Sequence, residues 1–148
     1  MKNLFAIFTY CLLIGVFSIP EKSLAAEVDI DKDAIKQTVL NYAEGWYLGD
    51  VTKMEKALHP DLAKRGLLFS ENNEPSLHLL TNKKLIVSTA GRKGQTMPEG
   101  PKLKVEILSI YEDIASVRLD SPWFVDYIHL VKWNGEWLIL NVLWESWK

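Results

Sequence analysis

The sequence predicts an α+β domain in which three N-terminal helices pack against a mainly antiparallel sheet. Two observations separate the halves: apolar residues recur at three- and four-residue steps in the first half, and four runs rich in Val, Ile, Leu and aromatic residues fill the last third. A third is the Asn134-Gly135 pair, which suits a tight turn between the last two runs. Helices followed by a meander of strands favour an α+β fold with the helices on one face of the sheet.

The first 25 residues have the pattern of a cleavable secretory signal peptide. Lys2 precedes an apolar stretch over residues 4–19, and the Ser23-Leu24-Ala25 triplet is a small-x-small cleavage site. A membrane anchor is the alternative, but the apolar stretch is shorter than the roughly 20 residues that a spanning helix needs. We therefore expect an exported protein, periplasmic or secreted, with no stable membrane anchor after cleavage.

Cleavage after Ala25 leaves a single domain over residues 26–148. It also removes Cys11, the only cysteine of the chain, which excludes a structural disulfide, thiolate catalysis and Cys-ligated zinc in the mature domain. The net charge of −2 argues against nucleic acid as the main partner, which would call for a basic stripe. The three histidines lie far apart and no glycine-rich phosphate loop is present, so no metal site and no cofactor are predicted.

Helix ends are marked by local signals. Gly49 supplies a stop for the first helix, Asp50 can cap a second that lasts until Pro60, and Thr81 can cap a third. These signals predict helices over residues 29–48, 51–59 and 81–90, with a short strand over residues 63–69 and a polar loop over residues 71–76. The four later runs predict strands over residues 102–111, 114–121, 123–132 and 137–145.

The two-residue turn at Asn134-Gly135 also sets a register between the last two strands. Counting back from the turn, Ile128 faces Asn141 and Asp126 faces Leu143. Asp126 and Asn141 are then diagonal neighbours on an otherwise apolar face, which is the composition of a small-molecule pocket. The opposite face is aromatic and carries His129, so we expect a second subunit there and a homodimer through the outer sheet face.

Two segments carry a resemblance to a known family. Residues 40–67, LNYAEGWYLGDVTKMEKALHPDLAKRGL, and residues 126–144, DYIHLVKWNGEWLILNVLW, resemble the putative lumazine-binding proteins of the nuclear transport factor 2-like superfamily. The resemblance implies a cone-shaped α+β domain whose curved sheet encloses a deep apolar cavity, and frequent homodimers. The superfamily includes ketosteroid isomerases, dehydratases, polyketide cyclases and non-enzymatic binding modules, so the fold alone does not decide the function.

Asp126 is the main candidate for the site. Burial of a carboxylate costs free energy unless the group is hydrogen-bonded or neutralised. Asp126 therefore either contacts a ligand, acts as a general acid or base, or bonds to a structural partner such as Asn141, Tyr42 or Trp46. In a catalytic reading, His59 or Tyr42 would assist it. The resemblance places His59 at the cavity rim, whereas a His after a helix is otherwise a capping or surface residue.

Other candidates would line the same pocket. Lys64 and Arg65 alternate in the predicted strand, so only one can point inward, and an inward Arg65 could hold an anionic ligand; a solvated pair is the alternative. Trp46 and Trp137 are placed on the cavity wall, where a flat ring could stack on a ligand. Three hypotheses stay open: a protein that binds a small, mainly apolar or aromatic molecule, an isomerase, dehydratase or cyclase using Asp126, and a non-catalytic interaction module.

Overall fold

The computed structural model describes residues 21–99 and 102–147, with side chains described from residue 29 onward. Three helices precede most of the sheet, as predicted: α1 (Glu21–Leu48), α2 (Val51–Ala57) and α3 (Asn82–Ala90). Helix α1 begins at Glu21 rather than at the predicted residue 29. The predicted signal peptide lies almost entirely outside the described residues and stays a prediction. Within the described part of the chain, no helix has the length and apolar character needed to span a membrane.

The residues predicted to cap or end the helices do so in the structure. Gly49 follows α1 with φ +67°, a conformation that favours glycine. The Asp50 side chain accepts a hydrogen bond from the Lys53 backbone N–H at 3.0 Å and thereby caps α2. Thr81 accepts one from the Lys84 N–H and caps α3.

Six strands form one mixed sheet in the spatial order β2-β1-β6-β5-β4-β3. Strands β1 and β6 pair in parallel, and every other pair is antiparallel. The predicted strand over residues 63–69 is the second half of a longer β1, and β2 was not predicted because its residues are mostly exposed and follow a polar stretch. The strands are β1 (Leu58–Phe69), β2 (Pro75–Thr81), β3 (Lys104–Tyr111), β4 (Ile114–Asp120), β5 (Phe124–Trp133) and β6 (Glu136–Ser146).

The predicted register of β5 and β6 is correct near the turn and wrong beyond it. Asn134 and Gly135 both have positive φ, and the pairs next to them are the expected ones. A bulge between Leu130 and His129 leaves one extra residue, Leu140, in β6. Beyond the bulge, Asp126 therefore pairs with Trp144 rather than Leu143, and Asn141 pairs with His129 rather than Ile128.

The sheet has an inner face under the helices and an exposed outer face. Asp126, Ile128 and Leu130 are buried on the inner face, where helix α1 packs, and Tyr127 is half exposed on the outer face. The Thr38 hydroxyl of α1 donates to the Trp137 carbonyl at 2.9 Å, which ties the helix to β6. Asp126 therefore lies on the face of the sheet that helix α1 covers, where the Tyr42 hydroxyl of α1 donates to it.

Candidate functional site

A cavity of about 310 Å³ lies between helices α1 and α3 and the inner face of the sheet. Its wall is mostly apolar and aromatic, with a few polar side chains, which is the usual composition of a small-molecule site. The lining residues are Tyr42, Ala43, Trp46, Tyr47, Lys64, Leu68, His78, Leu80, Leu85, Ser88, Leu119, Ser121, Phe124, Asp126 and Trp144.

A buried polar cluster of Tyr42, Lys64 and Asp126 is part of this wall. The Lys64 ammonium donates to Asp126 Oδ1 at 2.8 Å, and the Tyr42 hydroxyl donates to the same oxygen at 2.9 Å. Lys64 Nζ also donates to Tyr42 Oη. The three residues come from β1, β5 and α1, and none is more than 8% exposed, so this polar cluster is closed off from bulk water.

The parallel pairing of β1 with β6 orients the Lys64 side chain towards Asp126. Lys64 pairs with Val142, and Gly66 pairs with Trp144, so both lie on the inner face. The absence of a side chain at Gly66 leaves room for the Trp144 indole, because a Cβ at this position would come within 2.3 Å of the indole ring. The ring of Trp144 then lies 5.1 Å from Lys64 Nζ, which adds a cation–π contact to the ion pair.

Burial changes the proton affinity of two members of the cluster. Burial lowers the pKa of Lys64, and the Asp126 charge and hydrogen bond oppose this effect. Burial raises the pKa of Tyr42 well above its usual 10.0, and the neighbouring Asp126 carboxylate raises it further. Tyr42 is therefore a neutral hydrogen-bond donor throughout the physiological range.

The raised pKa of Tyr42 predicts a loss of stability at alkaline pH. A group whose pKa is higher in the folded state stabilises the fold fully below its unfolded value and loses that contribution as the pH rises through its folded value. We expect the free energy of unfolding to fall above pH 10, and to fall less steeply in Tyr42→Phe. Denaturant unfolding at a series of alkaline pH values measures both slopes, and equal slopes would contradict the assignment to Tyr42.

The cavity wall next to the polar cluster is aromatic. Phe124 and Trp144 meet edge to face with ring centroids 4.9 Å apart. The Tyr47 hydroxyl donates to Ser121 Oγ at 3.0 Å, and Ser121 Oγ donates in turn to the Phe124 carbonyl. The hydroxyl groups of Tyr47 and Ser121 are thus bonded within the protein, and the Trp144 indole N–H is buried without a partner among the described side chains. The aromatic faces are therefore the available contact surface.

Of the residues predicted for the site, Asp126, Tyr42 and Trp46 line the cavity. The placement of Asn141 on the Asp126 face is wrong, because the β6 bulge turns Asn141 to the outer face opposite His129. Trp137 is buried on the inner face but away from the cavity, and its indole N–H donates to Asp31 at 2.9 Å.

Arg65 and His59 do not line the cavity. Arg65 is exposed and pairs with Leu143 and Leu79 on the outer face, so its inward orientation is wrong. His59 is buried at the start of β1, where its Nδ1 accepts from the Asp61 backbone N–H and its ring packs edge-on against Trp133. Across the described ranges, no group of three His, Asp or Glu residues could hold a metal ion.

Lys64 is the site residue that sequence reasoning assigned to solvent. Its inward direction had one signal: Leu62, two residues earlier, is apolar and shares the same face of β1. The signal is weak, because the alternation of inward and outward side chains along a strand cannot show that a buried carboxylate lies near a lysine.

The comparisons with known proteins agree with this architecture. The profile of the family described as putative lumazine-binding matches residues 30–145. No curated protein matches the chain significantly.

Solved structures with low sequence identity share the fold. A nuclear transport factor 2-like protein of unknown function from Silicibacter pomeroyi has 17% identity and a TM-score of 0.64, covering 81% of this chain and 98% of that chain. A nuclear transport factor 2-like protein with a cystatin-like fold from Novosphingobium aromaticivorans has 12% identity and a TM-score of 0.61, covering 89% and 92%. A putative scytalone dehydratase from the same organism has 14% identity and a TM-score of 0.52, covering 84% and 89%.

Proposed function

Because the chain belongs to the putative lumazine-binding family, we propose that it binds a small, mainly apolar or aromatic molecule in the cavity beside Asp126. The observation that carries the proposal is a cavity of about 310 Å³ with aromatic walls and one convergent polar cluster. Such cavities hold small molecules by burying apolar surface, while the few polar groups fix the orientation. A non-catalytic protein-interaction module does not require such a cavity, so the cavity favours ligand binding over that alternative.

An enzyme of the isomerase, dehydratase or cyclase kind is the second candidate. The specific observation in its favour is the direct contact between Asp126 and Lys64, 2.8 Å apart at the cavity wall. Acid–base catalysis needs groups of both kinds within reach of the substrate, and these two would supply them. In this reading Asp126 is the general acid or base and Lys64 its partner.

We also propose that the protein is exported and acts as a homodimer through the outer sheet face. The apolar side chains of Tyr127 and Leu143 are each about half exposed on this face, and together with Trp147 they line an open groove. An aromatic, weakly charged surface of this kind suits a protein interface. The signal-like N-terminus supports export.

Native mass spectrometry of the purified full chain tests the binding and the assembly together. We expect the mass of two chains plus a retained small molecule, and an occupancy at least about tenfold lower in Asp126→Asn, since a hydrogen bond to a charged group is removed. Asp31→Asn, which alters an ion pair away from the cavity, is the matched control and should retain the ligand.

Two results would contradict the proposal. A protein that carries no small molecule and gains none when incubated with aromatic compounds would argue against ligand binding. A retained molecule with equal occupancy in wild type and Asp126→Asn would place the ligand away from Asp126. Conversion of the bound molecule, absent in Asp126→Asn, would favour the enzyme over the binding protein.

A further inference from the structure

Two hydrogen-bonding positions in the Tyr42–Lys64–Asp126 cluster have no partner among the described residues. Both hydrogen bonds that the Asp126 side chain accepts end on Oδ1, so Oδ2 accepts none. An ammonium group has three N–H donors, and Lys64 uses two, to Tyr42 Oη and to Asp126 Oδ1. The cluster therefore keeps one free acceptor and one free donor.

The two residues that carry these positions are part of the cavity wall. Lys64 and Asp126 are both almost closed to bulk solvent, at 8% and 3% exposure. Among the side chains that the structure describes, the unpartnered polar atoms sealed within protein are Trp46 Nε1, Arg92 Nη2 and Trp144 Nε1. Asp126 Oδ2 is not one of them, so its free surface opens on the cavity.

The charges of the cluster favour a neutral ligand. Lys64 and Asp126 offset each other, so the site offers no net charge to attract an anion. A carboxylate ligand would bring a second negative charge beside the buried Asp126 carboxylate, where little water screens the repulsion between the two charges. A ligand with a lone acceptor or a lone donor would leave one of the two free positions buried and unsatisfied.

The walls around the two positions favour a flat ring. Lys64 Nζ lies 5.2 Å from the centre of the Tyr42 ring and 5.1 Å from that of Trp144, and both rings line the cavity. Phe124 stands perpendicular to Trp144, and Trp46 lies on the same wall as Tyr42 along α1. Planar molecules make the most contact with such surfaces.

We propose that the cavity selects a flat, neutral molecule that carries an N–H next to a carbonyl group, the edge of a cyclic amide. The carbonyl oxygen accepts from Lys64 Nζ, and the N–H donates to Asp126 Oδ2. This inference rests on the proposed function, because it names the class of ligand for that same cavity. It also gives Lys64 a role as a specificity-determining residue.

The test compares 2-quinolone with coumarin, two flat bicyclic probes of the same shape. Coumarin has a ring oxygen where 2-quinolone has its N–H, so in coumarin an acceptor faces Asp126 Oδ2. By isothermal titration calorimetry with the full chain, 2-quinolone should bind at least about tenfold more tightly. Equal affinities, or no binding of either probe at millimolar concentration, would overturn the inference. Native mass spectrometry decides the proposed function separately, through the molecule that the protein retains.

The Asp126→Asn variant tests the position of the selective contact. Asparagine keeps one oxygen for Tyr42 and Lys64 and places an amide NH₂ in the position of Oδ2. The preference for 2-quinolone over coumarin should then fall by about tenfold or more. Asp31→Asn, away from the cavity, should leave the preference unchanged. The ratio compares two ligands on one folded protein, so reduced stability alone cannot produce the change, and an unaltered ratio in Asp126→Asn would overturn the assignment.

Discussion

Replacement of Lys64 by methionine is expected to lower the free energy of unfolding by about 3–5 kcal/mol. The change removes the cation that pairs with Asp126 at 2.8 Å and leaves a carboxylate whose side chain is only 4% exposed. A buried charge without a partner loses its hydration and gains no interaction in return. Urea unfolding followed by tryptophan fluorescence measures the loss.

Two further variants separate this cause from a general effect of the substitution. Lys32→Met removes an ion pair with Asp29 that is mostly exposed, and it should cost less than about 1 kcal/mol. The double variant Lys64→Met with Asp126→Leu removes the orphaned charge and should recover most of the stability. A loss for Lys64→Met no greater than that for Lys32→Met would show that the buried pair is not a major interaction.

The helix ends and the β5–β6 turn could be predicted because their signals are local. Asp50 and Thr81 cap helices through hydrogen bonds to backbone groups three residues away. Asn134 and Gly135 adopt positive φ within the turn that joins two neighbouring strands. Nothing distant in the chain is needed to form these contacts, so residue type and spacing are sufficient information.

The β6 bulge could not be predicted, because both faces of β6 are apolar. Leu138 and Leu140 alternate with Ile139, so either face of the strand could point inward without exposing a charge. Register is weakly specified by such a pattern. Tertiary packing decides it: Val142 and Trp144 face the cavity side, and Asn141 is turned outward.

The polar cluster depends on contacts between distant segments. Tyr42, Lys64 and Asp126 are separated by at least 22 residues, and the parallel pairing of β1 with β6 brings Lys64 to the inner face. Sequence reasoning identified the buried acid and named Tyr42 as a possible partner. It could not identify the cation, since the strand pairing that orients Lys64 has no local signal.

Gly49→Ala is the second substitution with a large expected effect, a loss of at least about 2 kcal/mol in the free energy of unfolding. The residue has φ +67°, and a Cβ there would come within 2.4 Å of Arg92 C and Lys93 N. Both are backbone atoms, which cannot move aside as the end of a side chain can. The turn after α3 would have to shift, and with it Arg92, whose side chain donates to the Trp46 carbonyl at 2.8 Å.

Gly135→Ala separates backbone strain from overlap, because Gly135 has φ +84° but no heavy atom within 4 Å of the added Cβ. It should cost only the strain of a left-handed alanine, about 1–2 kcal/mol. Equal losses for the two variants, measured by urea unfolding, would contradict a tight contact between Gly49 and the Arg92 turn. The guanidinium of Arg92 lies 4.5 Å from the ring of the cavity residue Trp46, so a shift of the Arg92 turn would also disturb the cavity wall. We therefore expect Gly49→Ala to weaken ligand retention as well as to lower the free energy of unfolding. Gly135→Ala should leave ligand retention unchanged.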